Sequence, residues 1–358
     1  MLKKVVKKVF AKKSRSKDRI KVKLIAIAKN EAAYLAEWIH HHLYMGVDNI
    51  EIHYNRCSDN TEDYVNFFSN DQRVAFINAD DVFEQSKKNP QVEVYKTAFV
   101  SAKRQGYSHV LFLDIDEFLV INKLQEDIKS LVKRLPDFHC LSFQWANRLE
   151  KKMPFTPAIE QDIKVKWVNH VKSLVATSLS PDSLTTHVAK CSPKMHILSD
   201  GELFIPNCDN TALLNVEKTK SRPKLAYVLH RVNRSPMEYT ALLGRGRPHY
   251  SHRNEGKVTL KSNRNGYPAP SQFNSIVHFN ETSLAQYSSY MKRELQDKRI
   301  CQIVEKGREH VELTFERVLQ LIEFYDLEQT DTVNILLSGV DLPEVTEARK
   351  RLQSRLQA

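Results

Sequence analysis

Two aspartates two positions apart, Asp114 and Asp116, close an apolar run of Val110, Leu111, Phe112 and Leu113. The run reads as a buried strand, and in extended backbone alternate side chains leave on the same face. Asp114 and Asp116 are then expected to point together while Ile115 turns back toward the core. Two carboxylates aimed at one spot repel each other unless a cation sits between them. Hard divalent ions that also hold phosphate oxygens take oxygen pairs of this kind. The plainer reading is a polar strand end whose acids cap the next helix or stay in water.

Such a pair needs a sheet edge to carry it. Residues 23–28 form a short apolar strand, and residues 31–45 carry Leu35, Trp38, Ile39 and Leu43 at helical spacing as far as the terminator Gly46. Residues 49–54 alternate as a second strand, 61–68 read as a helix, 74–77 as a third strand, 90–104 as a helix and 109–113 as a fourth strand. That rhythm predicts an α/β fold with a parallel, doubly wound sheet, in which ligands bind beyond the carboxyl ends of the strands. Three polar clusters fall at such ends: Lys29, Asn30 and Glu31, then the turn 55–61, then Asp114 with Asp116. Beyond Phe118 the pattern mixes. Residues 140–145, 163–168 and 225–232 read as strands, 244–280 as irregular chain broken by Gly and Pro, and 283–358 as helices.

The length of 358 residues suits one large domain with an appendage. No stretch approaches the ~18 uninterrupted apolar residues that cross a bilayer, and the first residues lack the apolar core of a secretory signal. Five cysteines without C-x-x-C spacing read as reduced thiols of a cytoplasmic protein. The net charge of +11 is concentrated at one end. Residues 1–23 hold eleven Lys and Arg against Asp18, while the remaining 335 hold 43 bases and 42 acids. So neutral a body lacks the basic face of a nucleic-acid-binding protein, and no nucleic-acid partner is expected. In the arm, Leu2, Val5, Val6, Val9 and Phe10 recur at helical spacing among lysines. A helix of that pattern lies on an anionic membrane surface, here through residues 1–20 and peripherally on the cytoplasmic face. A disordered solubilising tail and a nucleic-acid-binding arm are the alternatives.

The clusters, in this order, resemble the GT-A glycosyltransferases, and among them the family-2-like bacterial branch related to glycosyltransferase family 92. The resemblance rests on Lys29-Asn30-Glu31, on Glu37-Trp38-Ile39 with His40, His41 and His42, and on Gly46-Val47-Asp48. It continues through the turn from Tyr54 to Thr61, Asp114-Ile115-Asp116-Glu117-Phe118, the segment from His230 to Ser235, and Arg245-Gly246. The chain departs from the pattern after Trp145, where Ala146-Asn147-Arg148 replace Phe-Gly-Ser. It departs again at Lys172 to Ala176 with His187, where an expected arginine is missing.

The resemblance implies a GT-A, Rossmann-like mixed sheet flanked by helices over residues 22–246. A basic amphipathic arm (1–21) precedes it, and an irregular linker (247–282) and a C-terminal helical region (283–358) follow. It implies a metal-dependent, inverting transfer from a nucleotide-sugar donor, UDP-linked by preference, to a cell-surface polysaccharide or lipid-linked glycan. Asp114 and Asp116 would stand near Mn2+ or Mg2+, with Asp116 a direct ligand and Asp114 facing ribose or metal. His230 would be the third ligand, a satisfied core histidine being its other reading. Asn30, Glu31 and Asp59 would line the base pocket, although Asp59 also reads as a turn cap and Glu31 as a first-turn helix acid. Deprotonating an acceptor hydroxyl needs a base; Glu160, Asp162 and Asp182 are in range, and the sequence does not separate them. The adjacent histidines 40–42 point to different faces of a helix and read as a surface with one inward ring. Residues 245–253 read as a phosphate-gathering lid or a solvated loop. Two rivals remain. A sugar nucleotidyltransferase would carry a glycine-rich loop after the first strand, and residues 28–32 hold no glycine. A non-catalytic glycan- or membrane-binding scaffold would show no metal dependence.

Overall fold

The computed structural model describes residues 20–86, 89–215, 217–218, 225–245, 260–261, 263–325 and 327–357. In chain order the first half comprises β1 (Val22–Ala28), α1 (Ala32–Tyr44), β2 (Asn49–Tyr54), α2 (Glu62–Phe67), β3 (Val74–Asn78), α3 (Asp80–Gln85), α4 (Pro90–Arg104) and β4 (His109–Phe112). There follow β5 (Glu117–Ile121), α5 (Ile128–Arg134), β6 (Cys140–Arg148), β7 (Asp162–Ala176), β8 (His196–Leu198), β9 (Ala226–His230) and α6 (Pro236–Leu243). The chain closes with β10 (Ser275–His278), α7 (Glu281–Leu295), α8 (Lys298–Glu323), α9 (Leu327–Leu336) and α10 (Pro343–Gln357).

One sheet runs in the order β3-β2-β1-β4-β7-β6-β9-β5, with β10 on β7 and β8 on β6. Its first four strands are parallel, as the strand–helix rhythm predicts. Past β4 the sheet ceases to be parallel: β7 runs against β4, β6 against β7, and β5 against β9. The sheet is therefore mixed, in keeping with the GT-A resemblance. β7 is also longer than its apolar stretch suggests. Its first half alternates buried with exposed beside β10, and its second half is buried throughout between β4 and β6. Only the alternating half carries the period-two pattern of a strand with one wet face.

Helix α1 sits on the sheet with Leu35, Trp38 and Ile39 fully buried, and α7 and α8 cover its outer side. At Gly307 the α8 backbone meets α1 so closely that a Cβ would lie 2.4 Å from the Ala33 nitrogen. That covering overturns the surface expected for the histidine triplet, since His40, His41 and His42 are all buried. His41 joins Leu119 O (2.8 Å) to Tyr287 Oη of α7 (3.0 Å), and His42 joins Trp38 O (2.8 Å) to the Leu119 N–H (3.3 Å). Each ring donates from one nitrogen and accepts at the other, the hydrogen-bond set of a neutral imidazole. They are core polar groups that tie the helix to β5. Most of the basic arm and residues 246–253 of the lid lie outside the described residues. No helix among the described residues is long and apolar enough to cross a membrane.

Candidate active site

β4 ends at Phe112, so Asp114 and Asp116 stand on a turn rather than in extended backbone. Ile115 is buried as expected, but the two carboxylates do not share one partner. Trp38 of α1 fixes the turn by donating its indole N–H to the carbonyls of Asp114 (3.0 Å) and Glu117 (2.8 Å). The Asp114 N–H donates to Glu117 Oε2 at 2.9 Å. Into this turn β7 delivers Lys172, fully buried, with Nζ 2.9 Å from Asp114 Oδ2 and 3.4 Å from Glu117 Oε2. The acid pair that shares a cation is thus Asp114 with Glu117, and the cation is an ammonium. Burial alone would lower the Lys172 pKa, but Asp114 and Glu117 outweigh it and raise it. Burial pushes Glu117 well up against the pull of Lys172. Buried charges survive only when paired in this way.

Asp116 has other company. Its carbonyl accepts the Arg231 N–H (2.8 Å), and its carboxylate lies 3.6 Å from His230 Nε2 at the end of β9. Burial acts to raise its pKa, yet His230, then Arg234 and Arg264, hold it well below the usual carboxylate range. The basic side chains here are concentrated. Arg234 and Arg245 both bind Glu31, Arg234 at 2.8 Å, and Arg234 stacks on the Tyr34 ring at 3.4 Å. Lys261 is pulled down to about 7 by burial and by its neighbours Arg245 and Arg264. Cations gathered this densely stay charged most easily beside an anion.

Next to them a cavity of about 290 Å³ opens at the carboxyl ends of β1 and β2, its walls including Lys29, Asn30, Arg56, Ser58, Arg234 and Arg245. Asn30, at positive φ, accepts the Ser58 N–H (2.7 Å) and donates to Ser58 Oγ (3.0 Å), joining the loops after β1 and β2. Asp59 accepts the Ala32 N–H (2.8 Å) at the start of α1 and the Thr61 hydroxyl (2.6 Å), which makes it a cap and turn former. Glu31 orients the two arginines. Burial, then Arg56 and Arg245, lowers the Lys29 pKa.

The three expected acceptor-side carboxylates are all engaged elsewhere. Glu160 is ion-paired to Arg148 and Lys151, Asp162 to His278 of β10 (2.7 Å), and Asp182 to Lys96 of α4 (2.8 Å). None of them is hydrogen-bonded or ion-paired to Asp116 or His230. By sequence, Glu117 and Lys172 are named only as motif members without a role, and Lys261 and Arg264 are not named. Lys172 stands in the segment that matches the family pattern only in part, and a lysine inside a mostly apolar strand half was the available signal. The expected metal set of Asp114, Asp116 and His230 is not assembled, because Lys172 occupies Asp114. Among the described residues no three His, Cys, Asp or Glu side chains are grouped to hold an ion. Asp116 and His230 remain as a two-residue oxygen and nitrogen pair. The His230 Nδ1, on the far side of that ring, is buried without a hydrogen-bond partner.

No curated protein sequence matches the chain. Among solved structures, S. aureus TarS (residues 1–349) is 11% identical, over 94% of this chain and 89% of that one, with a TM-score of 0.32. Its complex with UDP is 12% identical over the same shares at 0.30. HddC from Yersinia pseudotuberculosis is 11% identical over 49% of this chain and 90% of its own, at 0.29. These likenesses are too slight to place a residue. The sequence model of glycosyltransferase family 92, by contrast, matches residues 23–230, from the first strand through His230. With more than half of its length matched, and the acidic turn and β9 inside the match, the chain belongs to glycosyltransferase family 92 and is a glycosyltransferase.

Proposed function

We propose that the protein is a metal-dependent, inverting transferase that moves a sugar from a UDP-linked donor to a cell-surface polysaccharide or lipid-linked glycan. The observation that carries this reading is Asp116, which faces His230 and lies in the field of Arg234 and Arg264 at the carboxyl edge of the parallel strands. A carboxylate and an imidazole are suitable donors for Mn2+ or Mg2+, and two protein ligands leave coordination positions for phosphate oxygens. Such an ion, when bound, supplies Lewis-acid neutralisation of the departing diphosphate.

The remaining work falls to the chain. Arg234, Arg245 and Arg264 offer fixed positive charge where the diphosphate leaves, in a partly buried setting where that charge is least screened, and Lys261 gains its proton most readily when an anion is bound beside it. Asn30 and Asp59 hold the loops that edge the base cavity, and Glu31 aims Arg234 and Arg245 at it. Asp114, tied to Lys172, faces the ribose. The preference for UDP rests on the family resemblance. Residues 1–20 would attach the enzyme to an anionic membrane at its inner face, next to a lipid-linked acceptor.

A thermal-shift series with UDP-sugars, with and without Mn2+, tests the reading. A donor at 100 times its Kd stabilises by about 2.7 kcal/mol, and the rise in Tm should require the metal. Asp116→Ala should abolish that rise in a protein that still folds. A rise of equal size without Mn2+ removes the ion from the proposal, and no rise with any UDP-sugar removes the donor.

A further inference from the structure

Beside Asp116 the sheet carries an aromatic cluster of which the donor chemistry uses only His230. The β6–β7 pairing slips between Gln144 and Ala146. The slip sets three residues of β7, 168–170, opposite Trp145 alone, so the bulge lies in β7. Trp145 there packs against three imidazoles. Its ring centroid lies 4.2 Å from His230, 5.0 Å from His170 in a stacked arrangement, and 5.4 Å from His187. Trp145, His170 and His187 are half-buried, so the cluster reaches the surface. Two polar atoms in it are buried without a hydrogen-bond partner, the indole Nε1 of Trp145 and Nδ1 of His230, itself 6% exposed. Unpaired buried donors are costly and rare. His187 Nδ1 lies 3.0 Å from the Val171 carbonyl, so that nitrogen carries the proton and Nε2 is left to accept. Burial, then Lys172, also lowers the His187 pKa to about 4, so the ring is neutral near pH 7.

We infer that Trp145, with His170 and His187 at its rim, is a binding wall for a neutral pyranose ring. Resting on the transferase reading above, the proposal deepens it by locating where a sugar sits. A pyranose has an apolar C–H face suited to an aromatic floor and a ring of hydroxyls suited to imidazole donors and acceptors. The neighbouring anion site is built from arginine and lysine, whereas this wall is uncharged. Contact of Trp145 with His230, which faces Asp116, sets the wall next to the reacting centre. The sugar is either the one carried by the donor or the terminal sugar of the acceptor.

Calorimetry on the full chain with Mn2+ decides between these sources, using UDP, UDP-sugars and a panel of methyl glycosides. Trp145→Ala is the main variant. The half-exposed His170→Ala stands beside it in case the first fails to fold. Both should bind UDP within about twofold of wild type. If the wall holds the donor's sugar, the extra affinity of a UDP-sugar over UDP falls by about tenfold or more in the variants. If it holds the acceptor's sugar, that increment stays and methyl-glycoside binding falls instead. Sugar-dependent binding that survives in both variants, or UDP affinity that falls as much as sugar affinity, overturns the proposal and leaves a packing cluster. A wild type that binds UDP but gains nothing from any sugar overturns it as well. Failure to bind UDP at all defeats the donor reading instead, and the methyl-glycoside arm still decides the wall.

Discussion

Lys172 changes what the acidic motif means. Asp114 and Asp116 look equivalent as letters, but a fully buried ammonium binds one of them to Glu117 and leaves the other to His230. The pairing buries the Lys172 ammonium and Glu117 while Asp114 stays partly exposed, and the ammonium persists because both acids face it. Lys172→Met should therefore strand Glu117, which is 0% exposed, and lower the unfolding free energy by on the order of 3 kcal/mol in urea denaturation. Adding Glu117→Gln to that variant should restore part of the loss. If Lys172→Met proves neutral, the ammonium is not what compensates the buried carboxylate. The motif was legible because its acids follow an apolar run directly. Lys172, 58 residues further on, was not, because only the β4–β7–β6 pairing brings it under the turn. The base candidates show the same limit: Glu160, Asp162 and Asp182 were chosen by range along the chain, whereas Asp162 and Asp182 are ion-paired to residues far along it and Glu160 to Arg148 and Lys151.

At the scale of the element, α1 is the hinge between sequence and site. Its apolar stripe and its end before Gly46 were readable, since both are local. Its outer face was misjudged because α7 and α8, which cover it, come some 240 residues later, as the His41–Tyr287 bond measures. Burying imidazoles has a pH consequence. Burial lowers the His41 pKa to about 4, below its ordinary 6.5. Between these values the unfolded chain binds the proton and the folded one does not, so stability falls as pH falls through that window. By pH 5 the cost from His41 alone is on the order of 2 kcal/mol. Unfolding curves from pH 7 to 5 should show the loss, and His41→Gln should flatten the slope there while lowering stability at pH 7. An unchanged slope would mean that this ring is not a buried neutral group. The parallel strands were legible for the same local reasons as α1. The register of β5 and β9 was not, since antiparallel pairing between distant segments leaves no period in either strand alone.

For the whole molecule, the decisive feature is where the charge lies. Residues 1–23 hold a net +10, while the remaining 335 hold +1, so the folded body has little attraction of its own for an anionic surface. The basic cluster at the candidate site is local and partly offset by Glu31 and Asp116, which leaves the arm as the largest block of unbalanced charge. Each Lys or Arg near an anionic leaflet contributes about 1 kcal/mol at most, and several apolar side chains add to that, enough for reversible attachment. The full chain should sediment with vesicles rich in anionic lipid at low salt. About 0.5 M NaCl should release most of it, because screening shortens the reach of surface charge to a few ångströms. Deleting residues 1–20 should abolish sedimentation while leaving the Mn2+-dependent UDP-sugar shift unchanged, since every residue proposed to hold the donor or the ion lies outside residues 1–20. Retention on DNA-cellulose but not on vesicles would assign the arm to nucleic acid. Sedimentation that survives the deletion would move the membrane contact onto the folded body, where the near-neutral charge leaves apolar surface as its only driving force.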